Sequence, residues 1–433
     1  MLNTTPDARR LLAGPSLDGP EPLAHHLARL GPLPTARDAQ RTMSELDASG
    51  LLGRGGAGFP VGRKWRAMAE RSRGHAVVLA NGAEGEPASL KDRVLMAARP
   101  HLVIDGAVLA ADAVGANDIV FYVGREHEAA VAALGVAIEQ RRPGVRQRIR
   151  MIEAPIGYVA GEASGAVHFV NAGDPRPTTT PPRMSERGVN GRPTLVQNVE
   201  SLAHAALIAR FGAGWYREAG RGTARGTALI TLSGTGRPAE LLEIELGTTI
   251  GEVAAGAGAS PAGTSAVLLG GYFGTWAPAA DVWSLPLDPA AMREKGLTFG
   301  CGMVGLLPAH ACGVDATARI MSFMARESAG QCGPCVFGLR ALADATRRVA
   351  DGRSKPDDMD GIARWTQIVA GRGACHHPDG AVALMASALR VFEEDMDHHV
   401  RSGRCLAMST PTGLPAANTA SASAPTNRRM EVA

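Results

Sequence analysis

No apolar run in the chain approaches the roughly 18 residues that would span a bilayer, and the opening MLNTTPDARRLLAGPSL holds no apolar segment of signal-peptide length. A cytoplasmic protein is expected, or one peripheral to the inner face of a membrane through its partners, with no membrane span of its own. Charge of one sign is scarce too. A net charge of +3 over 433 residues gives no reason to expect nucleic acid as a partner. Six cysteines are too few for a disulfide framework in a chain this long, and a reducing compartment argues against one. All six (Cys301, Cys312, Cys332, Cys335, Cys375 and Cys405) lie in the last third, where they invite a localised chemistry. With 45% hydrophobic residues, the chain is long enough for a sizeable core and for two to four domains.

What the sequence has in concentration is glycine at one place: Gly53-Arg54-Gly55-Gly56-Ala57-Gly58-Phe59-Pro60, followed by Lys64-Trp65. Each glycine costs roughly 0.5–1 kcal/mol relative to alanine inside a regular element, so four cost about 2–4 kcal/mol. A whole domain is stable by only about 5–15 kcal/mol. Bare backbone N–H groups that approach a phosphate, at the start of a helix, offset such a cost. Arg54 and Lys64 add positive charge. The spacing is neither the Rossmann fingerprint nor a Walker A loop.

The chain around this loop alternates. Residues 1–38 read as an N-terminal arm, and 39–52 as a short helix leading into the loop. AVVLAN (76–81) reads as a buried strand ending in Asn81, Glu84 and Glu86, and ligands of open α/β sheets bind at such strand ends. A helix over 101–114, a strand over 118–123, a helix over 126–140 and a strand near 148–153 predict a layered, Rossmann-like α/β domain with parallel strands. A second glycine–acid turn, Gly157 to Glu162, follows the last of these, and Pro193-Thr-Leu-Val-Gln197-Asn198 places paired amides before an apolar helix. Amides both donate and accept, which suits a heterocycle edge or a polyol chain. Residues 226–290 carry three strand-like stretches with a short helix after Thr249. Beyond them, four apolar stripes predict a helical bundle: Ala316, Ile320, Phe323 and Met324; Leu339, Leu342 and Val349; Ile362, Trp365 and Val369; Met385, Leu389, Phe392 and Met396. Residues 403–433 are poor in bulky apolar side chains and read as a disordered tail.

Cys332-Gly-Pro-Cys335 with Cys375 admits two chemistries. It is a redox dithiol of the thioredoxin kind, or three ligands of an iron–sulfur cluster that needs four.

Together, GRGGAGFP with Lys64-Trp65, the Asn81–Pro87 turn, the second glycine–Glu turn and PTLVQNVESLA resemble, in order, the NADH-binding flavoprotein subunit of respiratory complex I (the NADH-quinone oxidoreductase F-subunits) and the related diaphorase subunits of soluble hydrogenases and formate dehydrogenases. The likeness runs from about residue 40 to 400. The resemblance implies FMN and NAD(H) as cofactors, with a [4Fe–4S] cluster on an incomplete cysteine set. It implies that Arg54, Gly55, Gly56, Gly58, Lys64, Asn81, Glu84, Gly161, Glu162, Gln197 and Asn198 hold the flavin, that Phe59 and Glu86 meet the nicotinamide nucleotide, and that Cys332, Cys335 and Cys375 hold the cluster. It implies further an FMN/NADH domain over 39–222, a small ubiquitin-like β-grasp domain over 223–295 and an iron–sulfur-type helical bundle over 296–402.

The activity so implied is NADH dehydrogenase, as part of a larger assembly: hydride passes from NAD(P)H to FMN and single electrons leave through the cluster to an electron-transfer partner, a thioredoxin-like ferredoxin or other iron–sulfur protein. The segment before the glycine loop is too short to contain that partner. The sequence departs from the family pattern at Ala329, where a cysteine is expected, and at Ala83, Ala163, Thr180 and Arg183 around the nucleotide site. Ser328, Cys301, Cys312 and His376 are the candidates to replace the missing ligand. Two other readings remain at this level: a non-catalytic assembly subunit, and a thiol–disulfide reductase.

Overall fold

The computed structural model describes residues 10–34, 38–405 and 407. Most of the expected tail lies outside the described residues.

The first part of the chain runs α1 (Leu23–Leu30), α2 (Ala39–Ser49), α3 (Val61–Ser72), β1 (Val77–Gly82), α4 (Lys91–Ala98), α5 (Pro100–Val114), β2 (Asp118–Gly124), α6 (Glu128–Arg141), β3 (Arg148–Ala154), α7 (Ala163–Ala172), β4 (Thr194–Asn198) and α8 (Val199–Glu218). Its four strands are all parallel, in the order β3-β2-β1-β4. The predicted strands and helices of this region all form. β1 and β2 are apolar because helices cover both faces of a parallel sheet, and α5 is buried almost all round between the sheet and α8. A Cβ on Gly106 would collide with the Leu202 carbonyl, so that glycine sets how closely α5 and α8 approach.

The arm departs from expectation. It contains α1, in which Leu23, Leu27 and Leu30 recur at helical spacing while the residue it buries, His26, joins an ionic cluster. The His26 imidazole lies 2.7 Å from Asp105 on α5, and Asp105 also takes Arg141 of α6 and, at 2.6 Å, Arg210 of α8. The backbone N–H groups of Arg10, Leu11 and Leu12 all donate, at 2.9 Å, to the Glu243 carboxylate.

The second part comprises β5 (Thr227–Ser233), β6 (Glu240–Glu245), α9 (Ile250–Gly256), β7 (Thr264–Leu269), β8 (Thr275–Pro278), α10 (Ala279–Val282), α11 (Pro289–Glu294) and β9 (Met303–Pro308). It forms a mixed five-stranded sheet ordered β6-β5-β9-β7-β8. β9 occupies the middle, parallel to β5 and antiparallel to β7. A boundary at residue 295 therefore cuts off the strand that joins the two hairpins. The sheet cannot close without it, because β5 and β7 have no direct pairing.

Five helices follow: α12 (Gly313–Arg326), α13 (Arg340–Ala350), α14 (Asp358–Val369), α15 (His377–Val391) and α16 (Glu393–Ser402). The expected stripes are largely buried in one core, but the fourth is split between α15 and α16 at Phe392. A turn of π-helix over Pro334–Leu339 runs directly into α13. Among the described residues no single helix is long and apolar enough to cross a membrane.

Candidate functional site

In the parallel sheet the chain steps from β1 through β2 to β3 on one side, then returns to place β4 on the other. The topological switch point, where such sheets bind ligands, is thus the gap between the carboxyl ends of β1 and β4. Asn81 and Asn198 are register partners there, next to Ala80 and Gln197. The glycine loop closes over the same end: Gly53 N–H donates to the Phe59 carbonyl at 2.9 Å, and Leu52 bridges to Pro60. Between these pins Gly55, Gly56 and Ala57 present exposed backbone. Gly56 and Gly58 have φ of 103° and 63°, a region that favours glycine. A Cβ at Gly55 would stand 3.3 Å from the Asn198 Cβ, so loop and β4 end are in contact. α3 begins immediately after the loop.

Two side chains in this crevice are left short of partners. The Lys64 ammonium donates to the Val196 carbonyl of β4, at 2.5 Å, and among the described residues no carboxylate pairs with it. Burial pushes its pKa down to about 8. Gln197, 3% exposed, has a buried Oε1 that meets no donor among the described residues. A partly buried cation without a counter-ion and an unsatisfied buried amide are both costly, and an anionic or polar ligand relieves both.

Other expected side chains are engaged by the protein itself. Arg54 turns inward: its guanidinium lies 3.6 Å from Glu200 and donates to the Thr227 carbonyl at 3.0 Å, so only its backbone belongs to the loop. Glu84 stands at φ 43°, and its carboxylate accepts from Ser89 Oγ (2.6 Å) and from the N–H groups of Asp92 (2.8 Å) and Arg93 (2.9 Å), capping α4. Glu162 caps α7 through the N–H groups of Ser164 and Gly165. Asn198 caps α8, donates to Asp92 at 2.6 Å and accepts from Lys91 at 3.2 Å. Asn81 donates to the Gly161 carbonyl at 2.9 Å, bringing the two glycine turns together. Phe59 is half exposed at the mouth. Thr180 and Arg183 lie on the exposed surface, and Ala83 is buried.

Sequence reasoning passed over Tyr158, although it sits in the quoted second turn. Its hydroxyl donates to Glu86 at 3.0 Å, as does the Tyr272 N–H at 2.7 Å. Burial nevertheless raises the Glu86 carboxyl to about 7. The Tyr158 ring packs edge-on against Phe273, Phe323 and His377, joining the parallel sheet to the second sheet and the bundle.

The cysteine end abuts this crevice. Tyr158 N–H donates to Glu327 at 2.7 Å, and Gln331 donates to the Pro177 carbonyl at 2.7 Å. Cys335 interacts with Cys332, Cys375 and the Ser328 hydroxyl, and Cys375 faces Glu162. Of the four candidate substitutes, Ser328 thus lies beside Cys335, and His376 is exposed beside Cys375. Cys301 instead donates to the Gly270 carbonyl near Glu86, and Cys312 stands at the opposite end of α12. Burial pushes the Cys335 thiol up to about 12, and the neighbouring Cys332 adds to the effect. The Cys-Gly-Pro-Cys run also enters a helix from a loop, without a preceding strand.

A switch-point crevice holding a lysine that no carboxylate meets among the described residues lies against a cysteine-bearing helical bundle, an arrangement suited to an oxidoreductase component that holds a flavin and an iron–sulfur group. The family description "Nuo51 FMN-binding domain" matches residues 46–206, and "NADH-ubiquinone oxidoreductase-F iron-sulfur binding region" matches 315–399. One NADH-quinone oxidoreductase F-subunit of Rhizobium meliloti is 32% identical over 374 residues, covering 83% of this chain and 86% of that protein. The NADH-quinone oxidoreductase F-subunit of Rhodobacter capsulatus is 30% identical over 386 residues, covering 85% and 90%. A chain of an NAD+-reducing [NiFe]-hydrogenase superposes with a TM-score of 0.78 at 29% identity over 86% of this chain; the match spans 64% of the hydrogenase chain. The chain belongs to the family of NADH-quinone oxidoreductase F-subunits.

Proposed function

We propose that this chain takes a hydride from NADH onto FMN held between the glycine loop and the ends of β1 and β4, and sends single electrons through an iron–sulfur centre to a partner protein. The observation that carries the reading is the pairing of Lys64, a desolvated cation without a counter-ion among the described residues, with the orphaned Gln197 Oε1 at the switch point. FMN supplies two-electron acceptance and one-electron release, and the cluster supplies one-electron carriage.

The protein's own groups do the rest. Backbone N–H groups of Gly55, Gly56 and Gly58 would line the ligand's path, the Arg54 N–H being held by Ser201 Oγ at 2.9 Å, and the start of α3 adds its positive end. Lys64 would offer a fixed donor and positive charge to an electron-rich ligand and Gln197 a free amide oxygen, while Asn81 ties the two glycine turns together. Glu84, Glu162, Gly161 and Asn198 hold the surrounding turns through the caps described above. Phe59 and Glu86 stand toward the nicotinamide side, where a carboxyl with a pKa near 7 accepts or donates a hydrogen bond.

Cys332, Cys335 and Cys375 supply three thiolates, and the Ser328 oxygen supplies the fourth ligand in place of the absent cysteine. The units proposed are a flavin domain over 39–222, a ubiquitin-like unit extended to 308 to include β9, and a helical cluster-bearing bundle to 402. The electron acceptor is a separate redox protein.

The reading is tested by an anaerobic absorption spectrum before and after NADH, with iron and sulfide assays on the same sample. Flavin bands over an iron–sulfur shoulder, both bleached by NADH, are expected. A protein that remains colourless after reconstitution with FMN, iron and sulfide would overturn it in favour of a non-catalytic assembly subunit.

A further inference from the structure

Three groups converge at the far end of α12 from the cysteines just described. Cys312 is the N-cap of α12, where its sulfur accepts the Asp315 N–H at 3.3 Å. His399 lies on α16, 2% exposed. Cys405 follows α16 in an exposed turn. The two sulfurs and an imidazole nitrogen all lie within 4.8 Å of one another. α12 has 14 residues, so at 1.5 Å per residue it holds this group about 21 Å from the Ser328 end of the bundle. The two sets of cysteines are separate.

The geometry fits a tetrahedral metal. With Zn–S near 2.3 Å and Zn–N near 2.0–2.1 Å, tetrahedral angles place sulfur and nitrogen roughly 3.6 Å apart and two sulfurs roughly 3.8 Å apart. Cys312 Sγ and His399 Nε2 are separated by 3.5 Å. The imidazole is also oriented as ligands of this kind are. Its Nδ1–H donates to the Val349 carbonyl at 3.2 Å, which fixes the tautomer and leaves the Nε2 lone pair facing Cys312. Two thiolates and a neutral imidazole balance a divalent cation.

We propose that Cys312, His399 and Cys405 bind one zinc ion, with a fourth position open to water or another donor. Binding replaces two thiol protons with the metal, and both protons go to solvent. The ion ties the turn after α16 to the first turn of α12 and so closes the bundle that carries Cys332, Cys335 and Cys375. It is independent of the flavin and of the iron.

The experiment is elemental analysis of the full-length protein, purified anaerobically after expression with added zinc. It is applied to the native sequence and to the Cys405→Ser and Cys312→Ser variants, with iron measured in each sample and zinc-edge absorption used to count ligands. Expected are about one zinc per chain in the native protein with two sulfur ligands, near-complete loss of zinc in both variants, and unchanged iron. Cys405 is exposed, so its variant reports on binding even if Cys312→Ser fails to fold. Three results would each overturn the assignment: no zinc in the native protein after titration of its reduced form with zinc, zinc retained in Cys405→Ser, or a Cys312–Cys405 disulfide in the intact mass.

Discussion

The glycine-loop crevice and the cysteine end of the bundle are neighbours, yet they tolerate sequence change very differently. The crevice offers a ligand mainly backbone: Gly55, Gly56 and Gly58, with two unspent side chains, Lys64 and Gln197. Replacements at Ala83 and Ala163 leave that frame standing, because Glu84, Glu162 and Asn198 hold the turns by capping three helices. The cysteine end offers only side chains. A single replacement, alanine at 329 where the family pattern has cysteine, would remove a ligand that no backbone atom supplies, and the Ser328 hydroxyl lies beside Cys335. Sites built from main chain absorb substitution; sites built from ligand atoms need a specific repair.

The largest expected effect breaks the comparison at its side-chain half. Cys335→Ala should remove the cluster iron and abolish most NADH-driven reduction of a one-electron acceptor, while bound flavin stays near its native level. Iron assay and flavin absorbance on the same sample check it. Ser328→Ala should also lose iron, and Ala329→Cys should restore iron in the Ser328→Ala background. Iron unchanged by Ser328→Ala would assign the fourth position to another group.

The next effect probes the main-chain half through its unpaired lysine. A hydrogen bond to a charged group is worth about 1.5–3 kcal/mol, so Lys64→Met should weaken flavin binding roughly 10–100-fold without releasing iron. The pH dependence follows from a pKa lowered to about 8 from the ordinary 10.5. Between those two values the unfolded chain holds a proton that the folded chain has lost. Ligand-free stability therefore rises with pH across that window, and the desolvation cost is fully felt below it. An electron-rich ligand reverses the preference by holding Lys64 charged. Flavin affinity, followed by fluorescence quenching, should fall as pH rises above about 8 in the native protein and stay flat in Lys64→Met.

The placement of both halves was legible in the sequence for physical reasons. Glycines crowded before a helix, and polar residues at the ends of short apolar runs, have few other uses. The direction of individual side chains was not legible. Arg54 belongs to the loop by sequence, but Glu200, far along the chain on α8, turns it inward. Glu84 and Glu162 look like ligands until the helix starts they cap are in place. β9 was missed because its partners β5 and β7 flank it only in the folded sheet. α1 was missed because its apolar repeat is one short stripe, Leu23, Leu27 and Leu30, and its one fully buried side chain is the polar His26.

The smallest expected effect lies at the seam between the halves. Glu86 is raised from 4.5 to about 7 chiefly by burial, against the opposing hydrogen bonds from the Tyr272 and Ala88 N–H groups and the Tyr158 hydroxyl. Between those two values the folded protein keeps a proton that the unfolded chain releases. Glu86 therefore makes its full contribution to stability below the lower value, and that contribution is lost as pH rises through the upper one. Glu86→Gln keeps the shape and removes the titration. Melting temperatures at about pH 5 and pH 8 should therefore differ less in the variant than in the native protein, by roughly a few degrees. An equal pH slope in the two would mean that the Glu86 carboxyl is already ionised across this range, held there by Tyr158 and Tyr272. The aromatic junction would then stabilise a full negative charge beside the flavin crevice, and the seam would resemble the crevice, where the protein's own donors fix the chemistry, more than the cysteine end.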